Sequence, residues 1–404
     1  MLDNGKAEGA RKIKQIEKYC LRDIAIVSQG FTFSRSYQGK KNLKWNYFKV
    51  ADIGLNPNSK YLTNAINTIS DITMEEIGAL PFPKGSIVFP RVGAALFNNN
   101  KKILPQDGVV DDNVLVLTVT DTSKCWHEFL YYYLQGIPLA KWCNSGLVPV
   151  INTKTVLSQM VFLPPLPEQQ KIAAILSTQD KVIELKEKLL VQKQQQKKYL
   201  MQQLLTGKKR LPGFCEKWTR KQLGELFENR VEINRSDLGL LAITSTRGIL
   251  PRDCLDLKDN SSEDKSKYLR ICPGDIGYNT MRMWQGVSAY SEYEGIVSPA
   301  YTILAPMEGV YSRYFAYLFK TQSVIFSFYR FSQGLVDDTR NLKYENFKKI
   351  SVSIPSKVAE QRAIVQILST ADHEIDLLQK SIEAEKQKKK ALMQLLITGK
   401  VRRK

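Results

Sequence analysis

Histidine is all but missing from this chain of 404 residues: His127 and His373 are the only two, and neither has Cys, Asp or Glu at metal-ligand spacing on both sides. A zinc site built on a local motif therefore has no support. The six cysteines form no C-x-x-C pair, which removes zinc-ribbon and thioredoxin-type sites. Scattered in this way, they read as small apolar side chains in a reducing compartment. No run approaches the ~20 apolar residues of a membrane span. The opening MLDNGKAEGARKIKQ has no apolar signal core. The expectation is a cytoplasmic chain with no membrane partner. Motifs of chemistry are also lacking. There is no G-x-x-x-x-G-K-[ST] loop, because Thr206-Gly207-Lys208 lacks the upstream glycine and ends a helix. No G-x-G-x-x-G follows a strand, and no Asn-Pro-Pro-Tyr tetrapeptide occurs; Asn56-Pro57-Asn58-Ser59 is only a turn. No cofactor is expected in this chain. Asp111-Asp112 and Asp337-Asp338 could pair on a metal, but they read better as loop or strand-edge acids.

Positive charge is abundant. Lys and Arg outnumber Asp and Glu by 59 to 40, a formal +19. Such a field concentrates polyanions, and nucleic acid gains further from counterion release.

Aligned with itself, the chain repeats. Glu168 to Lys208 matches Glu360 to Lys400 without a gap, at an offset of 192 (360 − 168 = 400 − 208). Glu168-Gln169, Ile175 to Thr178, Asp180, Leu200-Met201-Gln202 and Thr206-Gly207-Lys208 all recur. Each copy reads as one long helix of about 40 residues, a rod of roughly 60 Å. Leu368, Ile375, Leu378, Ile382, Leu392 and Leu396 form a heptad stripe in the second. Leu176, Ile183, Leu190 and Leu204 form it in the first, interrupted by Lys186, Lys193 and Lys197. Those lysines either snorkel past a partner helix or mark where the rod meets another subunit. Gly207 and Gly399 suit the left-handed position after a helix, and Pro165-Leu166-Pro167 suits a helix start. A narrow apolar stripe needs a partner, and the other copy is the obvious one: an antiparallel coiled coil.

The segments before each helix echo each other more weakly. Gly108-Val109-Val110 resembles Gly295-Ile296-Val297, and Phe129 to Leu134 resembles Tyr314 to Phe319. Ser145-Gly146-Leu147-Val148 resembles Gln333-Gly334-Leu335-Val336. Short β-branched and aromatic runs cut by Gly, Pro and Asn predict irregular sheets with long loops and a short aromatic helix. The fold expected is α+β: two mixed α/β domains, 1–160 and 211–353, alternating with long helices within 161–210 and 354–404. It is an internal pseudo-twofold repeat.

This pattern resembles the specificity (S) subunits of type I restriction-modification enzymes. The resemblance rests on Leu163-Pro164-Pro165-Leu166-Pro167-Glu168-Gln169-Gln170, its diverged copy from Ile354-Pro355 to Glu360-Gln361, the long helix after each, and the variable domain before each. One departure is Ser356-Lys357-Val358-Ala359 in place of the second Pro-Leu-Pro. The resemblance implies two target recognition domains, each reading half of a split, asymmetric DNA site, with the helices as spacer. It implies two methyltransferase subunits as partners, which supply S-adenosylmethionine and adenine methylation, and restriction or translocase subunits beyond them. This chain would then be no enzyme. The alternatives are the recognition subunit of a stand-alone methyltransferase or type II-like system, a self-sufficient DNA-modifying enzyme, and a structural scaffold.

Candidate DNA contacts follow from side-chain chemistry, since Arg and Lys suit phosphates and guanine while Asn and Gln suit adenine. In the first domain they are Lys40, Lys41, Lys44, Arg91 and a polar tip of Asn98, Asn99, Asn100, Lys101 and Lys102. In the second they are Arg247, Asn279, Arg282, Trp284, Gln285 and Arg340.

Overall fold

The computed structural model describes residues 16–55, 59–144, 146, 148–244, 248–254 and 264–400. They divide into two compact units, Met1–Lys188 with Lys380–Lys404, and Leu189–Gln379. Each long helix is thus shared: its first part belongs to one unit and its second part to the other.

In the first unit, strand Ile87–Pro90 is buried at every residue, because both faces of its sheet are covered. It lies between Val114–Val119 and Lys102–Ile103, and Ala25–Gln29 pairs on the far side of Val114–Val119. Alternate residues point opposite ways. Ile87, Phe89, Leu115 and Leu117 pack on the aromatic helix His127–Gln135 through Phe129, Leu130 and Tyr132. Val88, Val114 and Val116 pack the other way, on Phe48, Ile53 and Val110. Each fully buried side chain of this size contributes on the order of 2 kcal/mol.

The second unit repeats this plan. Its four-stranded sheet runs Phe227–Asn229, Tyr301–Pro306, Ile276–Asn279, Ser288–Tyr290. Ile276, Tyr278 and Leu304 face the aromatic helix Ser312–Leu318. Ile303 and Ala289 face Ile243, Ile249 and Ile271. Gly277 leaves room for these side chains, since a Cβ there would sit 2.4 Å from the Ile243 Cδ1 and push that side chain aside.

In each unit the first and last strands close an antiparallel ribbon, Glu17–Cys20 with Met160–Leu163 and Thr219–Gln222 with Ser351–Ile354. Each ribbon runs straight into a long helix, Leu166–Leu204 or Val358–Ile397. The repeated glutamine fastens that corner. Gln169 donates to the carbonyls of Lys124 and Pro164 and accepts from Trp126 N–H, at 2.7–2.8 Å. Gln361 donates to Pro355 O at 3.1 Å. The second helix begins at Val358, the counterpart of Leu166 (166 + 192), so losing Pro-Leu-Pro does not move its start. Gly207 and Gly399 each take φ +70° just past the helix ends.

Within each unit the helix parts run antiparallel. In the first, Lys186 bonds Glu385 and Ser381 at 2.8 Å, Gln179 bonds Glu385, and Lys389 pairs with Asp180 at 2.5 Å. In the second, Lys193 meets Glu374 at 2.7 Å and Lys197 meets Asp372. The interrupting lysines are therefore seam residues whose charges end on acids of the facing helix. Leu176, Ile183, Ile382 and Leu396 are buried in the first unit, with Leu392 half-buried. Leu204 and Leu368 are buried in the second, where Leu190, Ile375 and Leu378 are half-buried.

Candidate nucleic-acid interface

The two units carry equivalent mouths at the carboxyl end of the central strand. In the first, Ile87–Pro90 leads into Arg91 and a 3-10 turn, Ala94–Asn98. Ile151 N–H bonds Arg91 O, and the Cys143↔Ile151 bridge closes a loop beside it. In the second, Ile276–Asn279 leads into Thr280 and the turn Met283–Gln285. Leu342 N–H bonds Thr280 O, and the Gln333↔Asn341 bridge closes the matching loop.

The linings differ. The first mouth is an open, polar pocket of about 420 Å³ that includes Gln29, Arg91, Asn144, Asn152, Thr153 and Thr155. Arg91 is oriented by its Nε bond to Asp112 O at 3.0 Å. The second is a pocket of about 380 Å³ lined by Asn279, Met281, Arg282, Trp284, Gln285, Ala300 and Asp337. Trp284 is fixed by its Nε1–H bond to Met281 O at 2.9 Å and meets Tyr329 edge-on at 6.2 Å. Polar groups able to meet base edges and phosphates thus converge at both mouths.

The structure gathers Arg91 at the first mouth and Asn279, Arg282, Trp284, Gln285 and Arg340 at or beside the second. Lys40 and Lys41 are exposed, as is Lys44, whose charge already rests on Asp71 at 2.8 Å. Asn98 is exposed. Arg247 lies outside the described residues.

The expected polar tip at Asn98–Lys102 needs correction. Lys101 and Lys102 are 2% exposed, because the chain turns at Asn99 (φ +54°) and re-enters the sheet as strand Lys102–Ile103. Lys101 Nζ donates to Asn99 Oδ1 at 2.6 Å and Ile137 O at 2.9 Å, and Lys102 Nζ donates to Ser59 O. Burial pushes their ammonium groups down to about 7 and about 8. Asn99 and Asn100 are half-buried with them. Lys320 does similar work in the second unit, donating to Gly286 O and Ser288 O, and burial takes it to about 8.

Sequence reasoning missed Gln29, Asn144, Asn152, Thr153 and Thr155 in one mouth, and Asp337 in the other, with Tyr329 packed against Trp284 beside it. The available signal was the repeated glycine and valine, Gly146 and Val148 against Gly334 and Val336, which fall in the two closing loops.

Among the described residues no group of three or more His, Cys, Asp or Glu is placed to hold a metal ion, and no helix is long and apolar enough to cross a membrane.

A family model described as "Type I restriction modification DNA specificity domain" matches residues 13–194 and 264–386. The fold is similar to the S subunit of a type I restriction-modification system from M. genitalium, at TM-score 0.59 and 15% identity over 96% of this chain and 98% of that one. It is also similar to a chain from a study of complex assembly and conformational transition in the type I R-M system, at TM-score 0.57 and 14% identity over 95% and 97%.

Proposed function

This chain belongs to the type I restriction-modification DNA specificity family, and from that membership we propose that its two units read the two halves of one split, asymmetric DNA site. The chain is the non-catalytic DNA-recognition component of a type I restriction-modification complex. The observation that carries the split-site reading is one mouth built twice on one framework and lined differently each time. A common scaffold with divergent loops suits two readers of different sequence.

In this reading the long helices set the distance between half-sites. Two methyltransferase subunits dock on the chain and bring S-adenosylmethionine, and restriction or translocase subunits join that core. The complex works in the cytoplasm. The domain limits 1–160 and 211–353 and the spacers 161–210 and 354–404 are the functional division that goes with it.

Selection of binding sites from a randomised duplex pool, using the full chain, tests the reading. The expected result is two short conserved blocks of different sequence at a fixed gap. A single continuous block, or no enrichment, overturns it.

A further inference from the structure

The second mouth holds one acid, Asp337, among its lining residues. Asp337 lines the pocket beside Asn279, Arg282 and Gln285, on a chain whose net charge is +19. Its side chain is 66% exposed. A surface Asp–Arg pair three residues apart contributes little to stability, so stability does not explain an acid here.

The carboxylate is held in a defined place. Arg340 Nε donates to Asp337 Oδ1 at 2.9 Å, and Arg340 Nη2 donates to the Tyr329 hydroxyl at 2.8 Å. The guanidinium lies 4.0 Å over the Tyr329 ring, and Trp284 braces that ring. Arg340 itself is 17% exposed, so it is a buttress more than a probe. The loop is equally constrained. Gln333 and Asn341 exchange two backbone bonds of 2.8 Å, and the Thr339 hydroxyl caps the turn Asp337–Thr339 through Val336. Gly334 sits at φ +136°, where a Cβ would come within 2.6 Å of Thr339 O. Among the described residues Arg340 bonds only Oδ1 of Asp337, and Oδ2 has no hydrogen bond.

An ionised carboxylate repels phosphates. The DNA groups it meets favourably are exocyclic amines, which the major groove presents on cytosine N4 and adenine N6. We propose that Asp337 is a specificity-determining residue that accepts a hydrogen bond from the exocyclic amino group of a cytosine or adenine, with Arg340 as its positioning residue. This rests on the DNA-reading role proposed above.

The test repeats the duplex selection with the full chain and the variants Asp337→Ala, Asp337→Asn and Arg340→Lys. D337A is expected to lose about tenfold preference at one position of one block, with every other position unchanged. The base lost there, C or A, identifies the amine. D337N keeps an acceptor for Arg340 and so preserves the loop; its preference at that position is expected to move toward adenine. R340K is expected to blur the same position and no other. Uniformly tighter binding by D337A would mean that the acid only repels phosphate. A loss spread over the whole block would mean a structural role. Either result, or no change, overturns the proposal. A wild-type chain that enriches no split site defeats the half-site reading first, and the two failures are thereby told apart.

Discussion

Tyr132 donates its hydroxyl proton to Asp180 across 2.6 Å, joining the aromatic helix of the first unit to the long helix that follows it. The second unit makes the same bond from Tyr317 to Asp372 at 2.8 Å. Each aspartate also pairs with a lysine of the antiparallel segment, Lys389 or Lys197, whose ammonium lies over the same tyrosine ring at 5.9 and 5.6 Å. The aspartates and the lysines both stand 192 apart (372 − 180 = 389 − 197). The helix register and the seating of the recognition domain thus meet at one carboxylate in each unit.

Asp180→Ala is expected to destabilise the first unit by about 2–3 kcal/mol, because the Tyr132 hydroxyl and the Lys389 ammonium lose a partner in a largely enclosed place. Asp372→Ala should cost less, since Asp372 is 42% exposed against 13% for Asp180. Urea unfolding followed by circular dichroism gives the order; equal losses would contradict it.

Glu385 lends the seam an acid limit. Hydrogen bonds from Lys186 and Gln179 hold its carboxyl down at about 2. A depressed carboxylate adds stability above its unfolded value of about 4.3, and that stability is lost as pH falls from there toward about 2. Helix content measured through that window should fall less steeply in Glu385→Gln. A steeper fall in the variant would refute the assignment.

Lys40 and Lys101, equal candidates by sequence, should behave oppositely. Lys40→Ala is expected to weaken DNA binding across sequences and lower the salt slope by about one. Lys101→Met should leave that slope alone and alter stability. Lys101 gives up its proton at about 7 when folded and at about 10.4 when unfolded, so the unfolded state holds more protons in between. Wild-type stability therefore rises with pH through that range, and the methionine variant should be flatter there.

Arg282 is exposed at the edge of the second mouth. Arg282→Ala should relax discrimination in one half-site and spare the other. A uniform loss across sequences would make it a phosphate contact instead.

Adding one heptad at equivalent points of both long helices adds about 10 Å of rise to each while keeping the seam pattern. Mapped methylation sites should then show a longer gap between unchanged half-sites. An unchanged gap would sink the spacer role.

Much was legible in the sequence because it depends on local chemistry and on repetition. The gapless 192-residue offset located two helices with the same start and the same glycine end. The Glu-Gln repeat marked a corner, although only the structure shows Gln169 closing it through three bonds. The heptad leucines and isoleucines named the seam face. Two recognition domains of irregular sheet followed from turn residues between short apolar runs, and the family followed from the whole pattern.

What the sequence could not decide is where a long polar side chain ends. Asn98 to Lys102 looks like a polar tip, yet the backbone turn at Asn99 folds the two lysines into the sheet, where carbonyls of Ile137 and Ser59 receive their protons. Lys186, Lys193 and Lys197 look like gaps in a stripe, yet each finds an acid on a helix nearly two hundred residues away in the chain. Asp337 looks like half of an acidic pair, yet Arg340 and Tyr329 hold it beside Asn279 and Arg282. Periodicity and duplication are properties of neighbours along the chain, so sequence alone determined the repeat, the helices and the family. The partners of charged groups come from distant segments, so only the tertiary structure decided which charges are buried, which are paired and which face the mouths.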